Sequence, residues 1–81
     1  MKFHYYADTD SLYIDLSEKK ASDSQEVVPG IVLDLDKDGH LVGIDIDHAS
    51  KLVNLSRLEA QGIPLTYLSL NQPKNISSVL R

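Results

Sequence analysis

The chain has 81 residues and no cysteine, so it has room for one hydrophobic core and is not an extracellular disulfide scaffold. Twelve acidic residues against eight Lys and Arg give a net charge of −4, and the scattered cations argue against direct binding to nucleic acid. No apolar run has the length of a signal peptide or a membrane span, so we expect a cytoplasmic protein without membrane contact.

A domain of this size buries a modest fraction of its surface and is marginally stable without a brace. A disulfide is excluded because cysteine is absent. We therefore expect the brace to be a protein partner, either another protein or a second copy of the chain in a homodimer.

The first two strands are predicted at residues 2–6 and 11–16, which alternate between apolar and polar side chains around a turn-like segment, 7–10. A loop of those four residues places apolar residues opposite one another on one face: Met1 with Leu16, Phe3 with Ile14 and Tyr5 with Leu12. The pairs on the other face are Lys2 with Asp15, His4 with Tyr13 and Tyr6 with Ser11. A slip by one residue would move the whole apolar set to water, so the register is well specified.

A second hairpin is predicted at residues 31–37 and 40–46, around the turn dipeptide Asp38-Gly39. A two-residue turn pairs Ile31 with Ile46, Leu33 with Ile44 and Leu35 with Val42. The opposite face then carries three carboxylates together with Val32 and Leu41: Asp34, Asp36 and Asp45. Residues 17–25 read as a polar loop before this hairpin, and Pro29-Gly30 suggests a bend at its entry.

A helical segment is predicted after the sheet, with Asp47 as its candidate N-cap. Ser56-x-x-Glu59 matches a capping box. Either one helix runs to about Gln61, or a short helix ends near Asn54 and a second begins at Ser56. The break is favoured because a capping box inside a helix has no use. Four apolar residues of this segment are expected to cover the sheet: Leu52, Val53, Leu55 and Leu58.

The predicted fold is therefore an α+β domain over residues 1–64. It is an antiparallel β-meander of two hairpins, about four strands, covered by a C-terminal helical segment. Residues 65–70 alternate weakly, and within 65–72 we expect an extra edge strand or a dimer contact. Residues 73–81 are expected to be a flexible tail.

Two motifs resemble a family of short bacterial proteins catalogued as a domain of unknown function. The first is the opening Tyr-x-x-x-x-Asp-x-Leu-Tyr-Ile at residues 5–14, and the second is Gly-Ile-Asp-Ile-Asp-His-Ala-Ser at residues 43–50. The likeness runs from Met1 to about Pro64 and implies a stand-alone domain, with no activity, substrate or catalytic residue. It further implies that such a protein can be the antitoxin-like or regulatory half of a two-protein pair.

The spacing Asp34-x-Asp36-x-Asp38-Gly39 matches the start of a calcium-binding loop. A calcium loop wraps one ion, whereas alternate residues of a strand lie about 7 Å apart along one face. Because the flanks of this segment alternate as strands, an acidic solvated face with a tight turn is the favoured interpretation.

Divalent-metal binding remains the alternative to an acidic face, through a mixed carboxylate–imidazole site near the strand-to-helix junction. Its candidate ligands are Asp34, Asp36, Asp45, Asp47 and His48. Helix capping already explains Asp47, so no cofactor is the leading expectation and a divalent cation the alternative.

A binding surface is predicted on the polar side of the first hairpin, where His4, Tyr6 and Tyr13 lie together. Tyrosine is enriched at the centres of protein interfaces, while ordinary cross-strand packing is the alternative explanation.

Catalysis is less favoured, because the chain lacks a cysteine nucleophile, a Gly-x-Ser-x-Gly elbow and a Walker A loop. We expect no catalytic residue, and a small hydrolase only if a dimer creates a pocket. The sequence thus predicts a small binding or regulatory module that acts through protein–protein contacts.

Overall fold

The structure is a computed structural model and describes residues 1–71. Its elements are β1 (Lys2–Tyr6), β2 (Ser11–Asp15), β3 (Asp23–Val28), β4 (Ile31–Leu35), β5 (Leu41–Ile46) and a short helix, α1 (Ala49–Leu52). The strands form one antiparallel sheet in the order β1-β2-β5-β4-β3. The expected α+β architecture on an antiparallel sheet is confirmed, with five strands rather than about four.

The register of the first hairpin is the one that the alternation predicts. Phe3 lies opposite Ile14, Tyr5 opposite Leu12 and His4 opposite Tyr13. The match follows from the short loop and from the cost of exposing every apolar residue in a shifted register.

The second hairpin has a three-residue loop instead of the predicted two-residue turn. Asp36 N–H bonds to the His40 carbonyl at 2.9 Å, and Gly39, with φ +84°, donates to the Asp36 carbonyl at 3.0 Å. Leu35 consequently lies opposite Leu41, so its predicted pairing with Val42 is wrong. A register shift at Val42 then restores the predicted pairs of Ile31 with Ile46 and Leu33 with Ile44.

The strand that the sequence analysis did not predict is β3, which begins inside the predicted polar loop at residues 17–25. It pairs with β4 through the Pro29-Gly30 turn, where Gly30 has φ +87°, and its register shifts between Glu26 and Val28. All six residues of β3 are exposed. An exposed edge strand needs no apolar alternation, so residues 23–25 show no hydrophobic pattern.

The order of the strands across the sheet is not the order in which they follow one another along the chain. β3, β4 and β5 form a meander, while β2 lies beside β5, so residues 16–22 carry the chain from the middle of the sheet to its far edge. Seven residues suffice for this crossing, since three strand spacings amount to about 14 Å.

Alternation along the strands gives the sheet two faces. The one we call the apolar face carries Phe3, Tyr5, Leu12, Ile14, Ile31, Leu33, Leu35, Ile44 and Ile46. The other, called the outer face, carries Lys2, His4, Tyr6, Ser11, Tyr13, Asp15, Ser24, Glu26, Val32, Asp34, Gly43 and Asp45.

The helical segment is much shorter than predicted. α1 ends at Leu52, and residues 53–71 contain neither helix nor strand, so the second helix at Ser56 is wrong. Of the two alternatives for residues 65–72, the edge strand does not form at 65–70, and the dimer contact stays a prediction. The amide and the hydroxyl of Ser56 both bond to Asn54 Oδ1, at 3.1 and 2.6 Å. This local turn takes the groups that a helix cap would have used. The predicted tail at 73–81 lies outside the described residues.

The core lies at one end of the apolar face, where Ala49 of α1 packs against Leu12 and Ile46. Val42 is also buried. The four residues expected to cover the sheet, Leu52, Val53, Leu55 and Leu58, are 36–63% exposed, so the predicted cover is absent from the described residues. Within residues 1–71, no helix has the length and apolar composition needed to cross a membrane.

Candidate functional site

The three residues of the predicted binding surface lie on the outer face. His4 and Tyr6 are exposed neighbours on β1 whose ring centroids are 4.3 Å apart, and Tyr13 lies opposite His4 on β2. Tyr13 is only partly exposed. The structure therefore brings the His4 and Tyr6 rings together, while Tyr13 shares their face, is less accessible and extends away from β1.

Tyr13 extends across β5 towards β4. Its hydroxyl donates to Asp34 Oδ2 at 2.7 Å, and its ring passes over Gly43 on the way. A Cβ at Gly43 would overlap the Tyr13 hydroxyl and lie 2.6 Å from Cζ. Glycine at this position is what allows the tyrosine ring to approach the backbone so closely.

The interaction continues to the edge of the sheet, because Ser24 Oγ on β3 donates to Asp34 Oδ1 at 2.8 Å. Both carboxylate oxygens of Asp34 thus accept a hydroxyl, one from β2 and one from β3. The parts played by Gly43 and Ser24 were missed at the sequence level. A lone glycine inside an alternating strand was the available signal for Gly43.

The carboxylates around Tyr13 keep its hydroxyl protonated. The hydrogen bond to Asp34, followed by partial burial and the negative charges of Asp34, Asp15 and Asp45, raises the pKa of Tyr13 to about 12. Near neutral pH Tyr13 is therefore a neutral donor, and its phenolate is not available as a nucleophile or base.

The surroundings of the three rings are predominantly acidic. Asp45 lies opposite Tyr13 on β5, and Asp15 follows two residues after it on β2. Lys2 lies opposite Asp15 at the margin. The site combines aromatic faces with carboxylates, and both groups attract cations.

The five predicted metal ligands are not gathered at one place. Asp34 and Asp45 lie on the outer face, Asp36 lies in the β4–β5 loop, and Asp47 and His48 lie beyond the other end of β5. Asp47 Oδ2 is 3.4 Å from Nδ1 of His48.

A different group in the described residues does place possible ligand atoms within 4.8 Å of one another: Asp36, Asp38 and His40. Asp36 is buried, and its Oδ1 accepts the amides of Asp38 and His40, each at 2.9 Å. The amide of His40 is the main cause that lowers the pKa of Asp36. These two hydrogen bonds close the β4–β5 loop and already explain why the Asp36 carboxylate is buried there. Three lysines line the adjoining depression: Lys19, Lys20 and Lys37.

A second polar junction joins the first hairpin to the helix. Asp10, in the left-handed region at φ 54°, accepts the Tyr5 hydroxyl at 2.7 Å and the amide and hydroxyl of Ser50 at 3.0 and 2.7 Å. Its carbonyl accepts the Ala49 amide at 2.8 Å. The bonds from Ser50 and then Tyr5 lower the pKa of Asp10.

The predicted helix cap at Asp47 is wrong. The N-cap position is His48, with φ 52° and no side-chain capping bond, while Asp47 Oδ1 accepts the amide of the adjacent His48. Asp10, forty residues from Ser50 in sequence, supplies the acceptor instead. Local spacing could not reveal a cap contributed by a distant turn.

A family model described as "Protein of unknown function (DUF2283)" matches residues 2–50. The chain belongs to the DUF2283 family. The matched region contains all five strands and ends within α1. No curated protein matches the chain, and no solved structure does.

Both polar constellations lie inside the DUF2283 region, since their members fall between Tyr5 and Ser50. The two motifs behind the resemblance meet in space at the Asp10–Ser50 contact. DUF2283 membership is confirmed over a shorter stretch than the Met1-to-Pro64 likeness suggested, and it brings no established activity.

Proposed function

We propose that this DUF2283 protein is a small binding or regulatory module that contacts a partner protein through the outer face. The group recognised is a cationic side chain, arginine foremost. The observation that carries the proposal is the position of Tyr13, held over Gly43 by Asp34 and surrounded by carboxylates next to the His4–Tyr6 pair.

Arginine fits this surface better than lysine. Its planar guanidinium stacks on aromatic rings and at the same time donates paired hydrogen bonds to a carboxylate. His4 and Tyr6 supply exposed rings, and Asp45 supplies an exposed carboxylate on the same face. A partner from a two-protein pair, as the resemblance implies, is one source of such a side chain.

The direct test is an NMR titration of the full chain with N-acetyl-arginine amide. We expect amide shifts centred on His4, Tyr6, Tyr13 and Asp45, with Kd on the order of millimolar for so small a probe. Tyr6→Ala should weaken binding two- to fivefold, in line with roughly 0.5–1 kcal/mol for an exposed cation–π contact. Tyr67→Ala is the control, because Tyr67 is exposed and lies outside the family region.

Two outcomes of the titration would contradict the proposal. Shifts of the same size with N-acetyl-glutamate amide, or shifts that avoid the outer face, would refute recognition of a cation. Binding should also weaken as salt rises from 50 to about 500 mM, since exposed charges are screened.

Divalent-metal binding by Asp34, Asp36, Asp45, Asp47 and His48 is the weaker proposal, because these groups are dispersed. Its test is the melting temperature with millimolar calcium, magnesium, manganese or zinc. A rise would support a cation site, since a ligand that binds only the folded state stabilises it.

A further inference from the structure

The apolar face of the sheet is incompletely covered. Only Leu12 and Ile46, next to α1, are buried, whereas Phe3 and Tyr5 are 49% and 42% exposed. The remaining members, among them Ile14 and Ile44 on the inner strands β2 and β5, are partly exposed. Inner strands of an antiparallel sheet ordinarily have one face fully packed, so among residues 1–71 this face lacks a partner layer.

The uncovered area is large for so small a chain. Taking about 150–250 Å² for a large side chain, the apolar face leaves on the order of 500 Å² of apolar surface exposed per copy. Nine more large apolar side chains between residues 52 and 70 are exposed. The apolar face alone supplies about the non-polar share, roughly 60%, of the ~800 Å² that each partner contributes to a standard interface.

The distribution of charge permits like faces to meet. The carboxylates of Asp15, Glu26, Asp34 and Asp45 all lie on the outer face, while among the strand residues described the apolar face has one carboxylate, Asp23, at its β3 edge. Two copies of a chain with net charge −4 can therefore approach through the apolar face without bringing these outer-face acids together.

We propose that the apolar face packs against the same face of a second copy, forming a two-sheet sandwich. The contact is isologous, as in most small homodimers. Sheets packed in this way lie about 10 Å apart. This inference uses the opposite face from the proposed partner site and does not depend on it.

The first measurement is the mass of the full chain by sedimentation equilibrium between about 5 and 200 μM. We expect about 18 kDa, twice the 9.0 kDa of one chain. A mass of 9.0 kDa throughout this range would overturn the proposal. The same mass is expected if residues 72–81 of the chain itself, rather than a second copy, occupy the apolar face.

A matched pair of variants identifies the face involved. Phe3 and Tyr6 belong to the same strand, are 49% and 48% exposed, and lie on opposite faces. Phe3→Glu should raise the dimer Kd at least tenfold, because each dimer would bury two unpaired carboxylates. Tyr6→Glu makes the same change of charge and should leave the dimer intact.

Isotope-filtered NOE measurements on mixed labelled and unlabelled wild-type chains provide a test that needs no variant. We expect contacts between copies from Phe3, Ile14 and Leu33, and none from Tyr13. Loss of the dimer in Tyr6→Glu but not in Phe3→Glu, or contacts between copies at Tyr13, would place the interface on the outer face and refute the proposal.

Discussion

Tyr13 occupies its position because Gly43 has no side chain and Asp34 offers an acceptor beyond it. One residue thereby connects β2 to β4 across the strand that separates them. The same bond keeps the phenol protonated, so Tyr13 presents a fixed ring and a neutral hydroxyl. This fixed geometry supports the proposed recognition surface on the outer face, since a fixed ring loses less conformational freedom on binding than a mobile side chain.

Gly43→Ala is expected to displace Tyr13 and break its bond to Asp34. The overlap of a Cβ with the phenol should lower the free energy of unfolding by about 1–3 kcal/mol. In a Tyr13→Ala background the same substitution should be neutral or stabilising, because glycine is unfavourable within a strand. Denaturant unfolding of the four proteins of this cycle measures the coupling, and an equal cost in both backgrounds would contradict it.

The titration of Tyr13 offers a spectroscopic test. A phenol with a pKa of about 12 should appear in the absorbance titration of the wild type and be missing from Tyr13→Phe. Tyr6→Phe should retain it. A wild-type titration that is complete by pH 11 would contradict the Tyr13–Asp34 bond.

The same bond makes a stability contribution with a defined pH range. Because folding raises the pKa of Tyr13, its contribution is complete below about pH 10 and is lost as the pH approaches 12. Tyr13→Phe should therefore cost about 1 kcal/mol at pH 7 and progressively less above pH 10.

At the scale of the elements, the helix depends on a residue from another hairpin. Ala49 and Ser50 donate to Asp10, whereas the Asp47 carboxylate contacts the neighbouring His48. A four-residue helix is far below the length at which helices are stable alone, so α1 relies on such tertiary contacts.

Asp10→Ala should lower the melting temperature by several degrees, and Asp47→Ala should change it little. Asp10→Asn keeps an acceptor and tolerates the left-handed backbone, so it should fall between wild type and Asp10→Ala. Since folding lowers the pKa of Asp10, its contribution is present above about pH 4 and is lost as the pH falls further. Thermal unfolding at pH 7 and pH 3 measures both effects, and a larger loss in Asp47→Ala would refute this assignment.

The first hairpin could be predicted from sequence because a short loop and alternation act over a few residues, and both specify one register. The second hairpin was predicted except at Leu35, because the dipeptide Asp38-Gly39 alone does not distinguish a two-residue from a three-residue loop. β3 escaped prediction since an edge strand with six exposed residues carries no apolar pattern.

Much of the candidate site could not be predicted because it depends on contacts between strands that are distant in sequence. That His4, Tyr6 and Tyr13 share one face could be predicted because they belong to a single hairpin. Asp34 joined them only through the pairing of β2 with β5, which no local pattern encodes. The capping box at Ser56 failed because Asn54 Oδ1 offers the backbone amide and the hydroxyl of Ser56 a nearer acceptor.

At the scale of the whole molecule, the two faces of the sheet have separate roles in our proposals. If apolar faces pair, both outer faces point away from the dimer in opposite directions. Each dimer then presents two Tyr13 sites, and a partner with two cationic segments would bind with an avidity above that of one site. A clean 1:1 complex of one chain with a divalent basic peptide would argue against this arrangement.

The central position of β5 has a consequence for synthesis of the chain. It is the last strand of residues 1–71 in sequence, yet it lies between β2 and β4 and pairs with both. Until Ile46 has left the ribosome, the first hairpin and the β3–β4 pair each present an open edge with unpaired amides and carbonyls. Emergence of β5 closes both edges in one step, so assembly of the sheet must follow synthesis of this strand rather than accompany that of the strands before it.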